Sequence, residues 1–116
     1  MSKALNLDGA VAVLTGAGSG IGQATAVEFA RRGASVVVSD LSGDRVAQVV
    51  EQISALGKPV LGLPADVTVE ADLERLRDNA LHRFGRVDLV MNNVGVLAIG
   101  AAETLPDEAW TRTLDV

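Results

Sequence analysis

The chain contains no cysteine and no tyrosine, one histidine, one tryptophan and two phenylalanines. Without cysteine there is no disulfide framework, so the fold must rest on an apolar core, and the absence fits a reducing compartment. A single histidine with no cysteine excludes the usual zinc constellations. Lys and Arg number 10 against 15 Asp and Glu, a net charge of −5, with no basic tract. Nucleic-acid binding needs clustered cations to meet phosphates, so no such partner is expected. No run approaches the ~20 apolar residues of a membrane span. Residues 1–9 include Lys3, Asn6 and Asp8 where a leader would carry a continuous apolar core. Together these absences predict a cytoplasmic protein with neither a membrane nor a nucleic acid as partner.

What remains is a chain of 116 residues that is 48% hydrophobic, enough for a real core and too much for a disordered segment. Its length suits a single domain, 1–116. Two periods alternate along it. Short apolar runs at 10–14, 35–38, 60–63 and 87–91 suit parallel strands covered on both faces. Between them lie helical patterns. Residues 20–32 form one, closed by Gly33. Val46, Val49, Val50, Ile53 and Leu56 share one face of a second, closed by Gly57. Leu73, Leu76, Ala80 and Phe84 share one face of a third, closed by Gly85. Ser42 and Thr68 are candidate N-caps. A last helix is expected in 104–116, starting at Pro106, with Trp110 and Leu114 spaced i, i+4.

The pattern β-α-β-α-β-α-β, with right-handed crossovers, gives an open α/β parallel sheet with helices on both faces. The expected strand order is 3-2-1-4. In such sheets ligands bind beyond the strand C-termini, at the point where the order reverses. Here that point lies between the first and fourth strands.

Residues 15–22 read TGAGSGIG, four glycines in eight residues directly after the first strand. A helix N-terminus offers unpaired N–H groups and partial positive charge, and glycine lets that backbone approach a pyrophosphate. The spacing is T-G-x-x-x-G-x-G on Thr15, Gly16, Gly20 and Gly22, rather than G-x-G-x-x-G. A tight turn without ligand is the alternative, which the position between strand and helix disfavours. Asp40 ends the second strand, 18 residues after Gly22. An acid at about that distance accepts hydrogen bonds from an adenosine ribose, and its charge repels a ribose 2′-phosphate. Positions 19 and 41 hold Ser19 and Leu41 rather than a cation, so NAD is expected over NADP. The alternative is a surface aspartate in a turn. Asp66 and Val67 follow the third strand and Asn92, Asn93, Val94 and Gly95 the fourth, on the same sheet edge. These residue types also serve as ordinary turn residues. His82 reads as a solvated helix residue and Trp110 as packing.

TGAGSGIG, Asp40, ADV at 65–67, NNVG at 92–95 and W-x-x-x-L-D-V at 110–116 together resemble the short-chain dehydrogenase/reductase family, from about residue 7 to the last residue. NNVG departs slightly from the family's usual NNAG. The resemblance implies a Rossmann-type fold cut before its fifth strand. It places Gly16, Ser19, Gly20 and Ile21 along the pyrophosphate and Asp40 and Leu41 at the adenosine ribose. Asp66 and Val67 would meet the adenine, and Asn93 and Gly95 the nicotinamide ribose. Gly22 would serve helix–strand packing, and Asn92 would brace the sheet. The family's chemistry uses a Tyr-x-x-x-Lys pair; this chain has no tyrosine, and its only lysines are Lys3 and Lys58. No catalytic residue is therefore assigned.

Two readings stand: the NAD-binding portion of an oxidoreductase acting on an alcohol/carbonyl pair, or a non-catalytic NAD-binding or structural module. A methyltransferase-like fold is a third, disfavoured by the glycine spacing and NNVG. The fourth strand should be an apolar edge lacking one neighbour, which predicts a homo-oligomer.

Overall fold

The computed structural model describes residues 6–95 and 103–116; Lys3 lies outside them. The elements run β1 (Val11–Leu14), α1 (Gly20–Arg31), β2 (Ser35–Asp40), α2 (Gly43–Ala55), β3 (Val60–Pro64), α3 (Glu70–Phe84), β4 (Leu89–Met91) and α4 (Asp107–Asp115). The strands form one parallel sheet in the order β3-β2-β1-β4. This is the expected order, with β1 central and β4 at one edge.

Strand alternation decides which helix each side chain meets. Ala12 and Leu14 of β1, with Val36 and Val38 of β2, point to one face. There they pack with Ala26, Val27 and Ala30 of α1 and Val46, Val49 and Ile53 of α2. Val13 and Val37 point to the other face, against Leu76 and Ala80 of α3. β1 is buried along its whole length. That explains why it reads as a continuous apolar run rather than as alternation.

The expected elements occur with two local differences. β4 begins at Leu89 rather than at residue 87, because Asp88 intervenes. Its N–H donates to the Val11 carbonyl at 2.9 Å, while its Oδ2 accepts the Val11 N–H at 2.9 Å. A carboxylate thus takes the place of a backbone carbonyl. The N-cap of α3 is Val69, with no side-chain cap, rather than Thr68. Thr68 bonds backwards instead: its N–H and its hydroxyl both donate to Asp66 Oδ1, at 2.9 and 2.6 Å. Ser42, by contrast, does cap α2, its hydroxyl accepting the Arg45 N–H at 3.3 Å. On β4 it is Val90, 54% exposed, that opens to solvent, whereas Leu89 packs against the α1/α2 core.

Candidate functional site

The C-terminal ends of β1 and β4 are stapled together by Thr15. Its N–H and hydroxyl both donate to the Met91 carbonyl, at 3.1 and 3.3 Å, and its Oγ1 accepts the Asn93 N–H at 3.2 Å. Asn93 then returns its side-chain Nδ2 to the Gly16 carbonyl at 3.1 Å. The turn between β1 and α1 is thus fixed from the β4 side. The bracing expected of Asn92 belongs to Asn93. Asn92 lines a smaller recess on the α3 side of the sheet, with Thr15, Val67 and Leu73.

The glycines divide into two kinds. Gly16 and Gly20 have φ of +61° and +58°, a conformation that strains any residue with a Cβ. The space a Gly20 side chain would take is open. Gly18 and Gly22 are glycines because of close approach. A Cβ on Gly22 would press on the Gly16 carbonyl and stand 2.6 Å from Asn93 Nδ2. One on Gly18 would stand 2.7 Å from both Asp40 Oδ2 and the Arg45 Cβ.

Among the described residues no side chain caps the start of α1. Ser19, the N-cap, makes no side-chain capping bond, and the first turn holds no acid. The other three helices each carry at least one acid there. Unpaired N–H groups and the positive end of the helix dipole therefore face outward, beside the open space at Gly20. That is an arrangement suited to an anion.

Asp40 forms the next part of the wall. Its Oδ2 accepts the Gly18 N–H at 3.0 Å and its Oδ1 the Ser42 N–H at 3.1 Å. The carboxylate is therefore held in one orientation, and each oxygen keeps a second acceptor site. Asp66 is oriented similarly. The Thr68 hydroxyl, and then its N–H, hold the Asp66 carboxyl below the usual aspartate range. Its own N–H donates to Asp72 Oδ2 at 2.9 Å, and Arg75 secures the same turn by donating to the Pro64 carbonyl at 2.8 Å. One Asp66 oxygen, Oδ2, remains without a hydrogen-bond partner among the described residues.

These segments meet in one cleft of about 580 Å³ at the C-terminal edge of the sheet, a volume usual for a small-molecule site. Of the residues expected at a site, Gly16, Ser19, Asp40, Leu41, Asp66, Val67, Asn93 and Gly95 line it. Gly20 and Ile21 do not; they open α1, with Ile21 74% exposed. Val94, expected on the same sheet edge, lines it too, and the cleft also takes in Arg45, Ala65, Thr68, Arg112, Asp115 and Val116, which sequence reasoning did not place there. Arg45 could have been found, since an N-cap at Ser42 puts it in the first turn of α2. Asp115 and Val116 entered the sequence reading only through the W-x-x-x-L-D-V resemblance, and nothing local pointed Arg112 to the cleft.

Comparison with known proteins gives a consistent result. Residues 10–116 match the family model described as short chain dehydrogenase. The 7alpha-hydroxysteroid dehydrogenase of Escherichia coli strain K12 is 46% identical over 94 residues, covering 81% of this chain and 37% of the relative. An uncharacterized oxidoreductase of Thermotoga maritima is 37% identical over 112 residues, covering 97% and 44%. A short chain dehydrogenase/reductase from Burkholderia phymatum, solved in complex with NAD, superimposes with a TM-score of 0.95 at 38% identity. The match covers 97% of this chain and 40% of that one. The chain thus spans less than half the length of each of these relatives.

Proposed function

The chain belongs to the short chain dehydrogenase family, and from that premise we propose that it is the NAD-binding part of an oxidoreductase acting on an alcohol/carbonyl pair. The observation that carries the reading is Asp40. A carboxylate fixed by two backbone N–H groups, beside a helix start that no side chain caps among the described residues, matches an adenosine ribose followed by a pyrophosphate. The NAD complex of the Burkholderia phymatum protein supports a nicotinamide cofactor.

In this reading the first N–H groups of α1, with Ser19, Gly20 and Ile21, hold the pyrophosphate, and Gly16 and Gly20 let it approach. The two remaining acceptor sites of Asp40 take the ribose hydroxyls, with Leu41 alongside. Asp66 Oδ2 accepts from the adenine amino group, and the Val67 N–H reaches a ring nitrogen. Asn93 and Gly95 border the nicotinamide ribose. The nicotinamide, when bound, accepts or supplies the hydride. None of the chain's residues is assigned to move the accompanying proton. The second reading is a module that binds NAD without catalysis. Among the described residues no helix is long and apolar enough to cross a membrane. With the lack of cysteine, this supports a cytoplasmic location.

Asp40 also sets the cofactor preference, NAD over NADP, because its charge faces the position of a 2′-phosphate. Calorimetry with both cofactors tests this. The chain should bind NAD more tightly, and Asp40→Ala should narrow the difference by weakening NAD and relieving the repulsion. Equal affinity of the unmodified chain for both would overturn the assignment. No reduced nicotinamide should form or disappear across a panel of secondary alcohols and ketones; turnover that persists through purification would show an overlooked acid/base group.

A further inference from the structure

The N–H groups of the turn between β3 and α3 are nearly all committed. The Ala65 N–H donates to the Asp40 carbonyl and the Val69 N–H to the Asp66 carbonyl, each at 3.0 Å. The Asp66 N–H donates to Asp72 Oδ2 and the Thr68 N–H to Asp66 Oδ1, each at 2.9 Å. From Ala65 to Val69, only the Val67 N–H has no hydrogen-bond partner among the described residues. It lies one residue from Asp66 Oδ2, the acceptor left over in the same turn. Two of the restraints come from side chains of α3. Asp72 is the third residue of that helix, a position from which an acid ordinarily reaches back to the N-cap N–H. Here the N-cap is Val69, and Asp72 reaches three residues further back, to Asp66. Arg75, almost one turn along, donates from Nη2 to the Pro64 carbonyl at 2.8 Å, with Asp72 Oδ1 3.5 Å away. Ala65, Asp66, Val67 and Thr68 line the cleft, whereas Asp72 and Arg75 stand behind them and do not.

We propose that Asp72 and Arg75 are positioning residues for base recognition: by pinning the turn on both sides of Ala65, they hold the Asp66 carboxylate and the Val67 N–H in the arrangement that fits the edge of adenine. This deepens the NAD-site reading above and rests on it. The adenine edge offers a donor amino group beside an acceptor ring nitrogen, so it needs an acceptor and a donor held at a fixed separation. Hypoxanthine reverses both. Its oxo group would face Asp66 Oδ2, and its ring N–H would face the Val67 N–H. A rigid turn penalises that reversal, because the mismatched groups are left unpaired. A loosened turn moves away from the mismatch and also aligns less well with adenine. Selectivity for the base therefore depends on two α3 side chains that act only through the turn.

The test titrates 5′-ADP and 5′-IDP calorimetrically into the full chain, Asp72→Ala, Asp72→Asn and Arg75→Ala. The unmodified chain should bind ADP more tightly than IDP. Asp72→Ala should narrow that ratio about tenfold, the range of one hydrogen bond to a charged group. Asp72→Asn keeps an oxygen to accept the Asp66 N–H and should retain most of the ratio, since a partly exposed ion pair with Arg75 contributes little. Arg75→Ala should narrow the ratio as well. Circular dichroism at 222 nm checks the fold. Should Asp72→Ala lose its helical signal, Arg75→Ala, whose side chain is 46% exposed, carries the test. Equal weakening of ADP and IDP, an unchanged ratio, or Asp72→Asn behaving as Asp72→Ala would overturn the proposal while leaving the NAD-site reading intact. Equal binding of ADP and IDP by the unmodified chain would overturn it together with the adenine role of Asp66 and Val67, leaving Asp40 and the start of α1 as assigned. Failure of the unmodified chain to bind ADP would overturn the proposal and the NAD-site reading together.

Discussion

Replacing Gly22 with alanine sets two effects of opposite sign against each other. Gly22 is the third residue of α1, where alanine normally gains about 0.8–1.0 kcal/mol in helix propensity. Its Cβ, however, would press on the Gly16 carbonyl and stand 2.6 Å from Asn93 Nδ2. Neither neighbour yields easily. Gly16 belongs to the turn stapled by Thr15, and Asn93 is tied to Thr15 through its own N–H. Overpacking of this kind costs about 1–3 kcal/mol. Breaking the part-buried Asn93–Gly16 bond costs about another 0.5–1.5 kcal/mol. The net loss should be on the order of 2 kcal/mol, large against the typical stability of a small domain. Gly43→Ala supplies the comparison. It too lies in the first turn of a helix, but the nearest heavy atom to its Cβ is Pro64 Cβ at 4.0 Å. That substitution should be neutral or stabilising by up to about 1 kcal/mol. Urea denaturation followed by circular dichroism at 222 nm would measure both. If Gly22→Ala were as stable as Gly43→Ala, the close approach of α1 to the β4 end would not be what keeps residue 22 a glycine.

Two further predictions concern the N-terminal sheet edge and β4. The Arg86 side chain, then the Val11 N–H, hold the Asp88 carboxyl below the ordinary aspartate value of 3.8. The unfolded chain therefore takes up a proton there at a higher pH than the folded one. The stabilisation is complete well above pH 3.8 and is lost as pH falls through the lower folded value. Asp88→Asn should lower urea stability at pH 7 and flatten its decline below pH 4; an unchanged acid profile would refute the role given to this carboxylate. Association, proposed from the apolar edge of β4, should appear in light scattering as a homo-oligomer. Val90→Lys should weaken it while preserving the circular dichroism of the parent, whereas Leu89→Lys would damage the core. A well-folded monomer at high concentration would remove the proposal.

The order 3-2-1-4, the helices on both faces and the cap at Ser42 were legible in the sequence. They follow from local pattern: apolar runs of strand length, apolar spacing of helix period, and a hydroxyl at a helix start. The glycine turn was legible for the same reason, since it lies next to its own strand and helix. The tertiary structure decided what depends on residues distant in sequence. Gly18 must be a glycine because Asp40, at the end of β2, and Arg45, in the first turn of α2, come close to it. Asn93, rather than Asn92, braces the turn because only its side chain reaches Gly16. β4 begins late, at Leu89, because the Asp88 carboxylate reaches Val11 across the sheet. Thr68 gives up the expected cap for a local reason, because Asp66, two residues back, offers a charged acceptor. A residue's conformation can be read from its neighbours along the chain, but its partner across the fold depends on register, side-chain direction and the closeness of packed backbone, which only the assembled sheet fixes.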